Sequence, residues 1–213
     1  MKTDELIALL SRDATPVKPG ALPMRVVLFA LVGAIGALVI LVPWIGMRPD
    51  LAEAVLGTTF WMKAIYTAGL GLAGFALFER LARPGAKGRI GWLLAGLFAA
   101  AIVAIATYQM MSTPMDQMRA AFMGVSWDKC PWRILVLSAP GLAVLLWTMR
   151  RYAPTRPILA GAAAGLFAGG VAATVYGLHC QETAAPFVAL WYSFGVLLST
   201  LAGAVIGSRV LRW

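Results

Sequence analysis

The sequence predicts an all-α polytopic membrane protein with six transmembrane helices and both termini in the cytoplasm. Three observations carry this. Hydrophobic residues make up 61% of the 213-residue chain and charged residues only 13%, whereas soluble domains run nearer half apolar and a quarter charged. Gly, Pro and charged clusters divide the chain into six apolar stretches, each about the 20 residues that one bilayer crossing requires. Lysine and arginine gather on one side of those stretches.

Residues 1–23 read as a tail and linker, and residues 24–213 as the transmembrane bundle. In the tail, Thr3 can cap a short helix whose positive N-terminal end suits Asp4 and Glu5. Leu6, Ile7, Leu9 and Leu10 then form an apolar stripe at helical spacing. Pro16, Pro19, Gly20 and Pro23 are expected to stop this helix before the membrane. A helix this short is marginal alone in water, so it is expected to order on a partner or on the lipid surface. The opening does not read as a secretory signal, because charges and prolines interrupt its first apolar residues.

The spans are placed at 24–45, 60–82, 90–111, 132–151, 157–178 and 186–208. The first carries Pro43 near its end. The fifth has Gly161, Gly165 and Gly169 at every fourth position, and the sixth has Gly203 and Gly207. Such small-xxx-small faces let helix backbones approach closely, so these glycines are assigned to helix packing. They also leave a homodimer through the glycine faces open.

Thirteen of the 18 Lys and Arg residues fall on the side of the termini, against five (Arg48, Lys63, Arg119, Lys129, Arg133) on the other. With the acids counted, the sides carry net charges of +9 and 0. Positive residues favour the cytoplasm, which puts both termini inside and accounts for the basic balance without nucleic acid. Lys63 and Arg133 are expected to snorkel from outer span ends. No ionisable residue falls near the centre of a span, where transporters and pumps need them.

The outer side then holds the reactive groups. Cys130 sits in a short polar gap, DKCPW, just before the fourth span, and Cys180 in a similar gap just after the fifth, beside the single histidine, His179, with Glu182 two residues on. Consecutive antiparallel helices bring both cysteines to one depth. A disulfide needs Cα atoms within about 7 Å, and an oxidising compartment favours one. A structural staple and a reversible redox or thiol–metal sensing pair both remain open. His179 could join the thiols as a ligand of a soft metal ion, or act by tuning the neighbouring thiol. Trp127, Trp132, Trp191 and Tyr192 read as an aromatic belt at the membrane interface. The chain has no CxxC pair, no HExxH and no glycine-rich phosphate loop, so no catalytic residue and no resident cofactor is assigned.

The chain resembles the NrsF-type membrane anti-sigma factors of proteobacteria along essentially its whole length. The resemblance rests on the opening MKTDELIALLSRDATPV, on RPDLAEAVLGTTFWMKA, on the LARPG turn, on CPW and on LHCQETAAPFVALWY, with Arg212-Trp213 at the end. Gln181 departs from the proline more usual there. The resemblance implies a non-enzymatic regulator in the bacterial inner membrane that holds an extracytoplasmic-function sigma factor. It implies release when heavy-metal or oxidative stress acts on periplasmic Cys130 and Cys180, with a transient heavy-metal ion as one form of the signal. The stripe of Leu6, Ile7, Leu9 and Leu10 would be the sigma-binding element, an amphipathic helix laid in a groove. A membrane thiol oxidoreductase is the alternative, and a small-solute transporter a third reading.

Overall fold

The composition of the fifth span, almost entirely glycine, alanine and a few larger apolar residues, suits it to the centre of a helical bundle. The computed structural model describes residue 5 and residues 21–82, 88–152 and 154–212. Among them, six helices are long and apolar enough to cross a membrane: Met24–Trp44, Thr58–Leu81, Arg89–Met111, Cys130–Tyr152, Pro157–Tyr176 and Ala185–Val210. The described residues form no strand. Of the most apolar stretch of each, 67% is buried in the fifth span but only 17% in the first and third. The fifth packs on the sixth, second, fourth and first, so it is the hub of the bundle.

Its glycines explain how. A Cβ added at Gly161 would run into the Gly203 carbonyl, and one at Gly165 into the Ser199 carbonyl. Gly207 faces Gly161, and Gly169 faces Ser199. The opposite side of the same helix meets the second span, where Gly170 abuts Gly71 and Gly74 abuts the backbone of Phe167. Between them, Thr67 of the second span and Thr174 of the fifth share a 2.8 Å hydrogen bond. In lipid, where tails are as apolar as side chains, close packing and such bonds are what hold helices together. The glycine faces are thus used within one chain, where the sequence had left a homodimer open.

Several boundaries differ from the expectation. The first helix runs Ala21–Trp44, so Pro23 sits in its first turn, where no helical N–H is missed. It ends beyond Pro43 at Gly46, whose φ of +72° suits a glycine stop. The fourth begins at Cys130 itself, with Pro131 in its first turn. The sixth is not one regular helix: it opens as Ala185–Phe187, widens into a π turn over Val188–Tyr192, and continues as Ser193–Val210. A nine-residue helix, Met115–Met123, lies between the third and fourth spans.

The apolar interior has two parts. One, toward the ends of the spans near Cys130 and Cys180, includes Tyr66, Ile134, Tyr176 and Phe187. The other, toward the termini, includes Phe75, Phe78, Met149 and Phe167. That second end also carries Arg25 in a 3.8 Å ion pair with Glu79, and Arg151 over the Trp147 ring. The tail stripe Leu6, Ile7, Leu9 and Leu10 lies outside the described residues.

Candidate functional site

Both cysteines are free thiols, and both are buried: Cys130 is 0% exposed and Cys180 3%. The expectation that they sit in polar gaps is corrected. Cys130 is the first residue of its helix, and its N–H donates to Ser126 O at 2.9 Å. Cys180 follows a turn in which its N–H donates to Tyr176 O at 3.0 Å, folding the chain back into the bundle. The two sulfurs thereby join one apolar cluster at one end of the molecule.

Lys63 is the largest surprise. Instead of snorkelling, it is 2% exposed, and its ammonium donates to Cys180 O at 3.0 Å and Glu182 O at 2.8 Å. A buried ammonium without such partners would be costly, so the carbonyls of the cysteine loop and the lysine stabilise one another. Arg48 braces the same loop. It pairs with Asp50 through Nε at 2.8 Å and Nη2 at 2.6 Å, and its Nη1 approaches Cys180 O at 3.5 Å. The pairing pulls the Asp50 carboxyl down to about 2 and pushes the Arg48 guanidinium up, the hydrogen bond to Asp50 being the main cause.

Glu182 fastens the loop to the segment before Cys130. Its Oε1 accepts from Val125 N at 2.7 Å, Ser126 N at 3.1 Å and Ser126 Oγ at 3.2 Å. Gly124, at φ +54°, is needed here twice over, because a side chain would strain the backbone and strike the Glu182 carboxylate. Further along, Gln109 Oε1 accepts from Ala185 N at 2.7 Å, and Trp191 Nε1 donates to Phe122 O at 2.8 Å.

His179 is brought near the thiols but is already engaged. Its Nδ1 lies 3.0 Å from Gly46 O and its Nε2 3.0 Å from Arg133 Nη1. A carbonyl accepts only, so Nδ1 carries the proton and Nε2 accepts from the guanidinium. Burial lowers the His179 pKa, the Gly46 carbonyl opposes that, and Arg133 lowers it further. Arg133 therefore caps the imidazole. Among the described residues no group of three His, Cys, Asp or Glu side chains is placed to hold a metal ion.

Trp127 and Trp132 stand exposed as an aromatic belt requires, but Tyr192 does not: it is 0% exposed, as is Tyr176. Their rings lie 5.7 Å apart, and neither hydroxyl has a well-aligned hydrogen-bond partner. Each stands beside a thiol, Tyr176 near Cys130 and Tyr192 near Cys180. A polar cavity of about 360 Å³ opens beside them, lined by Arg48, Ser126, Tyr176, His179, Cys180 and Glu182 among others. Sequence reasoning put Arg48 and Lys63 on this side without seeing that they hold the cysteine loop, and it missed Tyr176 altogether. The only signal available was a lysine in a span otherwise apolar around it.

No solved structure matches the chain. It is 49% identical to the anti-sigma-F factor NrsF of Caulobacter vibrioides (strain NA1000 / CB15N), with the whole of both chains covered. It is 39% identical, again over the whole of both chains, to the probable anti-sigma-F factor NrsF of Azospira oryzae (strain ATCC BAA-33 / DSM 13638 / PS). A family model described as NrsF, negative regulator of sigma F, matches residues 10–213. This six-helix chain, related to these proteins along its full length, belongs to the NrsF family of anti-sigma factors.

Proposed function

We propose that the protein holds an extracytoplasmic-function sigma factor at the inner membrane and lets it go when thiol-reactive stress, an oxidant or a heavy-metal ion, acts on Cys130 and Cys180. The observation that carries this reading is the pair of free thiols buried in one cluster at one end of the bundle. Nothing else in that cluster is as reactive. The sense of the bundle follows from charge. Arg80, Arg89, Arg150, Arg151, Arg156, Arg209 and Arg212 lie at the other ends of the spans, and basic residues favour the cytoplasm. The thiols then face the periplasm and the termini the cytoplasm. The tail residues Leu6, Ile7, Leu9 and Leu10 present the apolar stripe that a sigma factor would cover.

The test is capture of the sigma factor by the full-length protein in native membranes, before and after challenge with peroxide or cadmium. The double variant Cys130→Ser/Cys180→Ser is expected to keep its sigma factor under both challenges and to bind it normally at rest. Release from the double variant under stress would place the sensor elsewhere. Changing Leu6, Ile7 and Leu10 to Asp is expected to free the sigma factor without stress, since each apolar anchor in such an interface contributes about 2 kcal/mol or more. Unchanged capture would move the binding surface to the loops between spans.

A further inference from the structure

The two thiols are not equivalent, and the difference lies in the cavity. Cys180 lines it; Cys130, 0% exposed at the start of its helix, does not. The cavity's volume of about 360 Å³ has room for about a dozen waters. Its walls are furnished for a small polar guest. Arg48 Nη1 is spent only on a long 3.5 Å approach to Cys180 O. Among the described residues no third ligand joins the thiols, and both nitrogens of His179 are taken.

We propose that this cavity admits a small hydroperoxide to Cys180, which is oxidised first, and that Cys130 acts second as the resolving thiol. The inference rests on the thiol-sensing reading above and specifies its order. In the first step Cys180 gives its proton to water, and its thiolate attacks one peroxide oxygen. An S–O bond forms and the O–O bond breaks. The departing oxyanion is met by the Arg48 guanidinium, takes a proton and leaves as alcohol or water. Cys180 is then a sulfenic acid. In the second step the Cys130 sulfur attacks the Cys180 sulfur. The S–S bond forms, the S–O bond breaks, and hydroxide leaves with the proton of Cys130 as water. Two electrons pass from the pair of thiols to one peroxide. The burial of Cys130 protects it from direct attack, while its place in the same cluster leaves it near Cys180.

The experiment uses reduced full-length protein in lipid nanodiscs, exposed to hydrogen peroxide for timed intervals. Each sample is quenched into denaturant containing a dimedone-type trap, and the two cysteine peptides are read by mass spectrometry. In Cys130→Ser, sulfenic acid is expected to accumulate at Cys180. In Cys180→Ser, the sulfenic acid at Cys130 is expected to form at least about tenfold more slowly. The wild type is expected to form the disulfide at the rate at which Cys180 is oxidised in Cys130→Ser. Gln181→Trp, a change at an exposed residue of the cavity rim, keeps both thiols and is expected to slow disulfide formation about tenfold. Equal oxidation of Cys130 in Cys180→Ser, no oxidation of either thiol, or an unchanged rate in Gln181→Trp would overturn the inference. Ordered oxidation of Cys180 then Cys130 with the sigma factor retained would uphold it and overturn the proposed function instead.

Discussion

Replacing Lys63 with methionine is the most informative single change, because the structure says what is lost. Methionine fills much of the same apolar path but donates nothing. The Glu182 carbonyl then loses the 2.8 Å bond from the ammonium, and the Cys180 carbonyl keeps only the 3.5 Å approach of Arg48. A buried carbonyl left without a partner costs about 1–3 kcal/mol. One such orphan and one half-satisfied neighbour amount to about 2–4 kcal/mol against the closed loop. The bundle as a whole gains something back, since a buried charge no longer has to be kept out of water. The effect is therefore local: the loop opens more often while the helices stay packed. At about 1.4 kcal/mol per tenfold, opening rises by about 30- to 700-fold. A bulky maleimide, too large for the cavity, reads this opening at Cys180, with Cys130 in the same molecule as reference. A rise of less than about threefold at Cys180 would show that the lysine does not hold the loop. An equal rise at both thiols would mean general loosening and would refute the local account. Lys63→Arg, which keeps a buried donor, is expected to recover part of the protection.

Three further outcomes are expected. Gly165→Leu sets a side chain against the Ser199 carbonyl and is expected to destabilise the bundle by about 1–3 kcal/mol, read as a lower unfolding midpoint in detergent; the same change at Gly96, which faces open space, should cost far less. His179 has a pKa lowered from 6.5, so the unfolded chain binds a proton below that pH that the folded chain resists. Its contribution is complete above 6.5 and falls as the pH drops through and below 6.5. A thermal midpoint that declines between about pH 6.5 and 5, and a shallower decline in His179→Gln, would bear this out; Asp50, held at about 2, stays charged throughout. Finally, a cysteine introduced at Gly85 in a variant lacking the native pair is expected to resist membrane-impermeant reagents in intact cells, and its labelling would reverse the orientation of the bundle.

The spans were legible because length and apolarity are one-dimensional properties, and the bilayer reads them the same way. The glycine faces were legible for a related reason: a four-residue period marks a helix side wherever that side points. The reactive end was harder. Cys130 and Cys180 were expected in gaps because the apolar runs stop at Trp132 and Leu178, yet a helix start and a returning turn bury both. Lys63 had two solutions of similar appearance in sequence, reaching outward to water or inward to carbonyls. Only the position of the loop at Cys180 and Glu182, more than a hundred residues away, chooses between them. Tyr192 was assigned to the aromatic belt together with Trp127, Trp132 and Trp191. The π turn at Val188–Tyr192, which has no signal in the sequence, rotates the register there. The helix Met115–Met123 could have been found from Pro114 at its cap and Asp116 in its first turn.

The packing of the fifth span constrains how a change at the thiols can travel. Glycine faces at four-residue spacing on the fifth and sixth spans could re-mesh after a shift of one turn, about 5.4 Å. On the other side the fifth span is fixed to the second by the Thr67–Thr174 bond, by Gly71 against Gly170 and by Gly74 against Phe167. Lys63, one turn above Thr67, adds a tie from the second span to the cysteine loop itself. The second and fifth spans consequently move as one body or not at all, and sliding of the fifth alone would break a hydrogen bond and two backbone contacts. Moving that body from 1:99 to 99:1 requires about 5.5 kcal/mol of differential free energy. A disulfide between Cys130 and Cys180 supplies about 2–4 kcal/mol, so oxidation alone biases the equilibrium only in part. The rest has to come from what the disulfide displaces at the same end. The bonds of Lys63 to the cysteine loop and the seat of Glu182 on Val125 and Ser126 are the nearest such contacts. Their rupture would couple a two-electron change at two sulfurs to the second span, and through it to the basic end of the bundle.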